Sequence, residues 1–141
     1  MAYDTDNIFA KILRGELPAH VVHEDERTVA ILDVMPQADG HTLILPRAPA
    51  EDFFTLTDAD AAAVMRAGRV VAEALRKAFD ADGIRVMQFN GEAAGQTVFH
   101  YHLHLIPCHL DQGLRGHARG MADPDALAGH AERIRAALSR G

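Results

Sequence analysis

The stretch His100-Tyr-His-Leu-His104 places a histidine at every second position. Alternate residues of a β-strand point to the same face of the sheet, so we expect the three imidazoles on one face and Tyr101, Leu103 and Leu105 on the other. The apolar face can pack against a helix, and the imidazoles then face whatever lies opposite. We therefore predict a strand from Val98 to Pro107 that carries a site on one face and part of the core on the other.

The rest of the chain shows strand and helix patterns that supply partners for this strand. Apolar spacing and capping residues predict three helices: Ile8 to Arg14 with Asp6 as N-cap and Gly15 as its end, a long helix from Thr57 to Phe79, and Pro124 towards Leu138. Four further strands are predicted: His20 to Glu24, Thr28 to Leu32, His41 to Pro46 and Gly83 to Phe89. The fold class is thus α+β, a mostly antiparallel five-stranded sheet with helices packed on it.

The composition fits one small domain. The chain has 141 residues, a net charge of −6 and a single cysteine. No apolar run reaches the roughly 20 residues of a membrane span, and the first residues lack a secretory signal. We expect a cytoplasmic protein, because one cysteine cannot form an internal disulfide, and we expect neither membrane nor nucleic acid as a partner. A single domain is predicted over residues 1–141, with a motif-bearing core at 7–107 and a C-terminal loop and helix at 108–141.

Three interpretations of the histidine row are open: a solvated strand face, a metal site and a nucleophilic site. A solvated face would more simply carry threonine, lysine or glutamate. Imidazole is a common zinc ligand, but the first and third α-carbons of an ideal strand lie about 13 Å apart, too far for all three rings to converge easily. An extended anion fits the row better, with the middle ring as nucleophile and its neighbours as donors. We predict no metal and no other cofactor.

The loop Asn90-Gly-Glu-Ala-Ala-Gly-Gln-Thr97 leads directly into the histidines. Its glycines allow main-chain N–H groups to approach an anion. It is not a Walker A loop, because Gln96 stands where lysine is needed and a strand follows instead of a helix. A glycine-containing loop without a ligand is the alternative. We expect phosphate contact, with Gln96 and the Thr97 hydroxyl as side-chain donors.

With these residues assembled, the chain resembles the histidine triad (HIT) superfamily, whose signature alternates three histidines with apolar residues and reads here His100-Tyr-His-Leu-His-Leu-Ile106. Four further segments are similar to the Hint branch and its bacterial relatives: Asn7 to Pro18, Ile31 to Asp33, Gly40 to Pro46 and Ala94 to Val98. The resemblance implies a homodimer that binds a purine nucleotide, an adenosine or guanosine monophosphate derivative. It also implies cleavage of a phosphoramidate or phosphoanhydride bond through a covalent nucleotidyl-histidine intermediate.

The resemblance further implies roles for individual residues. His102 matches the nucleophile, and His100 and His104 match the histidines that flank it. A fourth histidine, His41, matches the one that pairs with the triad, and Asp33 matches the residue that binds the ribose hydroxyls. Other positions match the apolar walls of the nucleoside pocket and the phosphate contacts: Ile8, Phe9, Ile12, Ile31 and Val34 for the walls, Gly95 and Thr97 for the phosphate.

Two departures from the family pattern bear on the site. Some members hold a structural zinc partly through a Cys-x-x-Cys pair, and those positions are Asn7 and Ala10 here, so we expect no such site. Related proteins often carry asparagine at position 89, which is Phe89 here; Asn90 beside it is our candidate nucleotide-binding residue.

Residues outside the signature receive plainer interpretations. Cys108 is expected to be a packing residue. Five histidines are expected at the surface: His20, His23, His109, His117 and His130. Arg115, His117 and Arg119 form a small basic cluster that we expect on a mobile, solvated loop, with contact to a leaving group as the alternative. At the level of function, the alternatives are a dinucleoside polyphosphate hydrolase of the Fhit type, a nucleotide-binding regulatory protein with incidental hydrolysis, and a metalloprotein.

Overall fold

The computed structural model describes residues 3–115 and 120–139, which form a single sheet with helices on both faces. The α-helices are α1 (Ile8–Leu13), α2 (Asp58–Ala78) and α3 (Pro124–Ser139). The strands are β1 (Val21–Glu24), β2 (Thr28–Leu32), β3 (Thr42–Pro46), β4 (Gly83–Met87) and β5 (Leu103–Cys108). No helix in these two ranges is long and apolar enough to span a bilayer.

The strands follow the order β1-β2-β3-β5-β4, and every neighbouring pair is antiparallel. The α+β prediction with a five-stranded antiparallel sheet is therefore confirmed. β5 lies between β3 and β4 and hydrogen-bonds to both. This places His104 on an interior strand with a strand neighbour on each side.

The two faces of the sheet are buried by different helices. β2 and β3 are buried at every position, and their side chains alternate between two clusters. The first cluster contains Ala30, Leu32 and Ile44 together with buried residues of α2 and α3. The second contains Val29, Ile31, Leu43 and Leu45 together with Phe9 of α1. Burial on both faces explains why these strands are almost continuously apolar.

Helix α2 lies directly over β5. Its predicted stripe is confirmed, because Val64, Val71 and Leu75 are buried in the first cluster. A Cβ atom at Gly68 would come within 3.3 Å of the Leu103 side chain, so glycine allows the helix to approach the strand closely. Tyr101, Leu103 and Leu105 all belong to this cluster, as the alternation of the histidine segment predicts.

The predicted start of β5 at Val98 is wrong, because pairing with β3 begins only at Leu103. The chain before it leaves the ladder, and the N–H of Tyr101 donates to the carbonyl of Ala50 at 2.8 Å. Proline at position 46 has no N–H to offer a neighbouring strand, and its carbonyl accepts from a side chain instead. His100 and His102 therefore precede the strand, although side chains in this segment still alternate between the two faces of the sheet.

Other boundaries shift by one or two residues. The N-cap of α1 is Asn7, not Asp6, because the Asn7 side chain accepts from the N–H of Ala10 at 2.8 Å. β1 and β3 each begin one residue later than predicted. β4 ends at Met87 instead of Phe89, because the Gln88 side chain then bonds locally to Asn90.

Candidate active site

Four histidines gather on the face of the sheet that α1 partly covers. His41, His100 and His104 are buried, whereas His102 is half-buried. The register pairs Leu43 with His104, and His41 lies two residues before Leu43, so both histidines point to this face. The structure thus brings together all four histidines that the sequence singles out.

His102 is oriented by its own main chain. Its Nδ1 lies 2.7 Å from the carbonyl oxygen of His100. A carbonyl oxygen only accepts hydrogen bonds, so Nδ1 must carry the proton and donate it. In the neutral ring, Nε2 then carries the lone pair. This is the tautomer that a nucleophilic imidazole requires.

His41 and His104 form a directed pair, as the resemblance implies. The main-chain N–H of Gln37 donates to Nδ1 of His41 at 3.0 Å, so the proton of neutral His41 is on Nε2. That nitrogen lies 2.9 Å from Nδ1 of His104, which must then accept. Neutral His104 consequently carries its proton on Nε2. The His104 ring packs against the His102 ring with centroids 5.0 Å apart, which places a donor beside His102.

His100 is held at both ring nitrogens. Nε2 lies 2.8 Å from the carbonyl oxygen of Pro46, and Nδ1 lies 2.5 Å from the hydroxyl of Tyr3. Burial lowers the pKa of His100 to about 4, with nearby His102 adding to the effect and the bond to Pro46 opposing it. His100 is therefore neutral at physiological pH, with its proton on Nε2.

Asp33 lies at the edge of this group, immediately after β2. Its Oδ2 is 3.5 Å from Nε2 of His41, while Oδ1 accepts from the N–H of Met35 at 2.8 Å. Asp33, His41 and His104 each offer a ligand atom, and these atoms lie within 4.8 Å of one another. They could reach a common metal ion, but the bond between the two histidines would have to break first. This set differs from the row of three histidines considered from sequence.

The residues at the family's cysteine positions do not fit a zinc ion. Asn7 caps α1 and also donates to the carbonyl of Asp4 at 2.7 Å, and Ala10 has no ligand atom. An open cavity of about 400 Å³ is lined by Ala10, His100 and Tyr3, among others.

The loop before the histidines is built by Gln96. This buried side chain accepts from the N–H of Gly91 at 2.7 Å and donates to the carbonyls of Glu51 at 2.8 Å and Val98 at 3.1 Å. Both amide hydrogens are therefore used within the protein, and the expectation that Gln96 donates to phosphate is wrong for this conformation. It shapes the loop around the 3₁₀ turn Glu92–Ala94.

The other loop residues lie in different surroundings. Asn90 accepts from the N–H of Phe53 at 2.7 Å and exchanges hydrogen bonds with Gln88, so its side chain joins two loops. Gly95 adopts a left-handed conformation with φ +103°. Thr97 is exposed and lines a groove of about 630 Å³ together with Ile8. None of the four histidines lines this groove. The candidate active site is therefore defined by the contacts among the histidines and not by the groove.

The apolar positions divide into buried and exposed members. Phe9 packs edge to face against His102 with ring centroids 4.9 Å apart. Ile31 is buried beside Phe9, and half-buried Ile12 packs on the same cluster. Ile8 and Val34 are exposed. Phe9, Ile12 and Ile31 thus form one apolar wall next to the nucleophile.

Three residues of the site are missed by the sequence reasoning. Tyr3 and Gln37 contact histidines through loops that carry no periodic pattern. Phe89 packs its ring against His104 with centroids 5.6 Å apart, although the sequence marks it only as a departure from the family. The aromatic character of Tyr3 and its position just before the α1 cap are the only signals in the sequence.

The loop that carries Asp33 and His41 is anchored by the C-terminal segment. The N–H of Arg115 donates to the carbonyl of Gln37 at 2.7 Å, and its guanidinium bonds to Asp39 at 3.0 Å. Arg115 is exposed, as expected for a solvated loop, and these two bonds tie it to the loop of Asp33 and His41. His117 and Arg119, the other members of the basic cluster, lie outside the described residues.

The histidines outside the signature are less exposed than expected. His20, His23, His109 and His130 are all half-buried. Nε2 of His109 lies 2.8 Å from the carbonyl of Phe79, and the His130 ring packs against the Phe79 ring. The surface prediction is wrong for His109 and His130, because both help to hold the end of α2. Cys108 is half-buried at the end of β5.

A buried histidine pair, a half-buried histidine with a fixed tautomer and an adjoining apolar wall together define a histidine-based catalytic or binding site. The family model "HIT domain" matches residues 14–110, and the chain belongs to the HIT family of nucleotide-binding and nucleotide-hydrolysing proteins.

Two relatives illustrate this membership. "Protein hit" of Bacillus subtilis is 42% identical over 100 residues, which cover 71% of this chain and 69% of that protein. Adenylylsulfatase HINT3 of Arabidopsis thaliana is 36% identical over 102 residues, covering 72% of this chain and 52% of that protein.

Three solved structures share the whole fold. A Hit-like protein from Bartonella henselae is 42% identical with a TM-score of 0.92, over 97% of this chain and 99% of that one. A zinc-bound histidine triad protein from Mycobacterium smegmatis is 34% identical with a TM-score of 0.86, over 96% and 95%. A histidine triad nucleotide-binding protein from Sulfolobus tokodaii is 28% identical with a TM-score of 0.86, over 94% and 91%.

Proposed function

We propose that this protein is a nucleotide hydrolase or transferase that cleaves a purine nucleoside phosphoramidate or phosphoanhydride through a covalent intermediate on His102. The substrate is an adenosine or guanosine monophosphate derivative. The observation that carries the proposal is the 2.7 Å contact between Nδ1 of His102 and the carbonyl of His100. This main-chain contact holds the tautomer in which Nε2 carries the lone pair.

The chemistry requires two displacements at one phosphorus atom. The lone pair on Nε2 of His102 attacks the phosphorus and forms a P–N bond, while the leaving group departs with the electrons of its own bond and takes a proton from solvent. Water then attacks the same phosphorus and the bond between phosphorus and Nε2 breaks. The water returns a proton to solvent, and the products are the nucleoside monophosphate and neutral His102. His104 supports both steps, because its Nε2–H can donate to a phosphate oxygen as charge develops.

The nucleoside is proposed to bind beside the nucleophile. Phe9, Ile12 and Ile31 supply an apolar wall for the base, with exposed Ile8 and Val34 at its margin. The carboxylate of Asp33 accepts from the ribose hydroxyls, and its 3.5 Å approach to His41 links the ribose position to the histidine pair. Gly95 and Thr97 contact the phosphate from the loop, while Gln96 and Asn90 hold that loop in place.

Replacing His102 with alanine tests the proposal. Turnover of an adenosine phosphoramidate should fall about a thousandfold or more, because no other group supplies the nucleophile. Nucleotide affinity should stay measurable by calorimetry, since the apolar wall and Asp33 remain. Mass spectrometry of the wild type, quenched by rapid denaturation at alkaline pH because the P–N bond to histidine is labile in acid, should show one added nucleoside monophosphoryl group that the variant lacks.

The matched control is His23→Ala, which removes a half-buried histidine of β1 that lies outside the site. It should retain turnover. Unimpaired hydrolysis by His102→Ala would sink the proposal. Rates on an adenosine phosphoramidate, a diadenosine polyphosphate and adenylyl sulfate distinguish the leaving groups, and the adenylylsulfatase among the relatives supports including the last.

The cellular compartment and the assembly state are proposed on separate grounds. A single cysteine is compatible with a reducing compartment, and we place the protein in the cytoplasm as a homodimer of single-domain chains.

A further inference from the structure

Tyr3 reaches the histidine row from the N-terminal end of the chain. Its hydroxyl lies 2.5 Å from Nδ1 of His100, and the two rings meet edge to face with centroids 5.7 Å apart. Burial raises the pKa of Tyr3, so the hydroxyl keeps its proton at neutral pH. The residue lies outside the segment that matches the HIT domain, residues 14–110.

The direction of this hydrogen bond follows from the second nitrogen of the ring. Nε2 of His100 faces the carbonyl of Pro46 at 2.8 Å and must donate. Nδ1 of the neutral ring therefore accepts, and the Tyr3 hydroxyl donates. Moving its proton to Nδ1 would set the lone pair of Nε2 against the carbonyl of Pro46, and turning the ring over would put carbon atoms where the two nitrogens lie. The two bonds thus select one orientation and one tautomer of a fully buried ring.

The main chain of His100 supplies the acceptor that orients His102. The carbonyl of His100 accepts from Nδ1 of His102 at 2.7 Å, and no ladder pairing holds residues 98–102. Phe9 packs against both imidazoles, with centroid distances of 6.5 Å to His100 and 4.9 Å to His102. The position of the His100 carbonyl therefore depends on the anchoring of its side chain.

The N-terminal segment contributes this anchor in place of metal ligands. Tyr3, Ala10, Pro49 and His100 line one cavity, and positions 7 and 10 carry no thiolate. A hydroxyl donor on Nδ1 satisfies a buried nitrogen that would otherwise lose its partner, which is costly in an apolar setting.

We propose that Tyr3 is a positioning residue of the active site: its hydroxyl fixes the ring and tautomer of His100 and, through the His100 carbonyl, the ring of His102. The inference rests on the proposed function for its kinetic consequence, but its structural part can be measured without substrate.

Tyr3→Phe tests the inference, because it removes one oxygen and keeps the ring. We expect kcat to fall about tenfold with KM changed less than about twofold, since the residue acts on the nucleophile and not on the nucleoside wall. Nitrogen-15 NMR of the imidazoles should show shifted His100 signals and a mixture of His102 tautomers. The matched control is Tyr101→Phe, the same change at the chain's other tyrosine, whose ring lies in the α2 core.

The inference is overturned if Tyr3→Phe matches Tyr101→Phe in kcat and leaves the His102 tautomer unchanged. If the wild type itself hydrolyses none of the nucleotides, the proposed function fails, and the NMR comparison alone decides the positioning role. A single His102 tautomer in Tyr3→Phe would then overturn it, and a mixture would support it.

Discussion

At the scale of single residues, buried His100 links folding to pH. Its pKa in the folded protein is about 4, well below the ordinary histidine value near 6.5. Between these values the unfolded chain binds a proton that the folded protein does not. The free energy of unfolding must therefore decrease as pH falls through this window.

The free energy of unfolding should fall by about 3 kcal/mol between about pH 6.5 and pH 4, from roughly 1.4 kcal/mol per pKa unit. Urea unfolding near pH 7 and near pH 4.5 measures it. The variant His100→Asn should be less stable at neutral pH and should lose less stability on acidification. Equal acid sensitivity in both proteins would show that His100 is not the buried group responsible.

At this scale the sequence points to a candidate nucleophile but not to the contact that orients it. The alternation of His100, His102 and His104 marks the middle histidine. The tautomer depends on a main-chain carbonyl that faces the His102 ring only because residues 98–102 leave the ladder. Tyr3 is equally hidden, since a contact across 97 positions leaves no local pattern.

At the scale of elements, the turn into β3 is tightly fitted against the end of α2. Gly40 has φ +86°, and a Cβ atom there would lie 2.6 Å from the Phe79 ring. That ring cannot move freely, because the guanidinium of Arg133 stacks over it at 4.5 Å from the centroid. Gly40 precedes His41, so this packing also helps to set the histidine pair.

Gly40→Ala should lower the free energy of unfolding by about 2–4 kcal/mol, combining a left-handed backbone with a steric clash. Gly15→Ala is the matched control, because Gly15 has φ +79° with nothing within 4 Å of the added atom. Its cost should be about 1 kcal/mol. Chemical denaturation of both variants separates the cost of the left-handed backbone from the cost of the clash with Phe79. Equal losses in the free energy of unfolding would refute the packing argument.

Elements with a long repeated pattern are the ones that sequence predicts well. Helix α2 repeats its apolar stripe over 21 residues, so its existence and buried face follow from spacing alone. The start of β5 does not follow from spacing alone. Its pairing with β3 stops before Pro46, and the segment that precedes β5 turns towards Ala50. A strand boundary depends on the partner strand, which local spacing does not encode.

At the scale of the whole molecule, the two edges of the sheet differ. Near β1, the guanidinium of Arg135 in α3 donates to the carbonyl of Val21 at 2.8 Å. Within residues 3–115 and 120–139, β4 has a strand neighbour on one side only, and Val86 on it is 53% exposed. An open edge with an exposed apolar side chain favours pairing with another strand.

We expect a homodimer that uses the β4 edge. Light scattering should give twice the chain mass of 15.3 kDa, and Val86→Lys should shift the protein towards monomer by placing a charge in the interface. Leu110→Lys is the control, because Leu110 is 94% exposed and lies after β5. A wild type that stays monomeric at all micromolar concentrations contradicts the expectation.

The fold class follows from the pattern of elements, whereas the strand order does not. Runs of consecutive strands with helices between the runs indicate an α+β sheet, and the hairpin of β1 and β2 is local. The placement of β5 between β3 and β4 joins segments about 60 residues apart along the chain. Such pairings depend on which apolar faces fit together, as Gly68 and Leu103 do.

The group that orients His102 belongs to the peptide backbone. Every amino acid carries the same carbonyl, so no substitution at position 100 can delete this acceptor. Replacing the peptide unit with an ester would weaken it, and a change in the path of the chain would move it away. Side chains around His102 can therefore vary without removing this acceptor, provided that the bend before β5, and the anchoring of His100 that helps to hold it, are preserved.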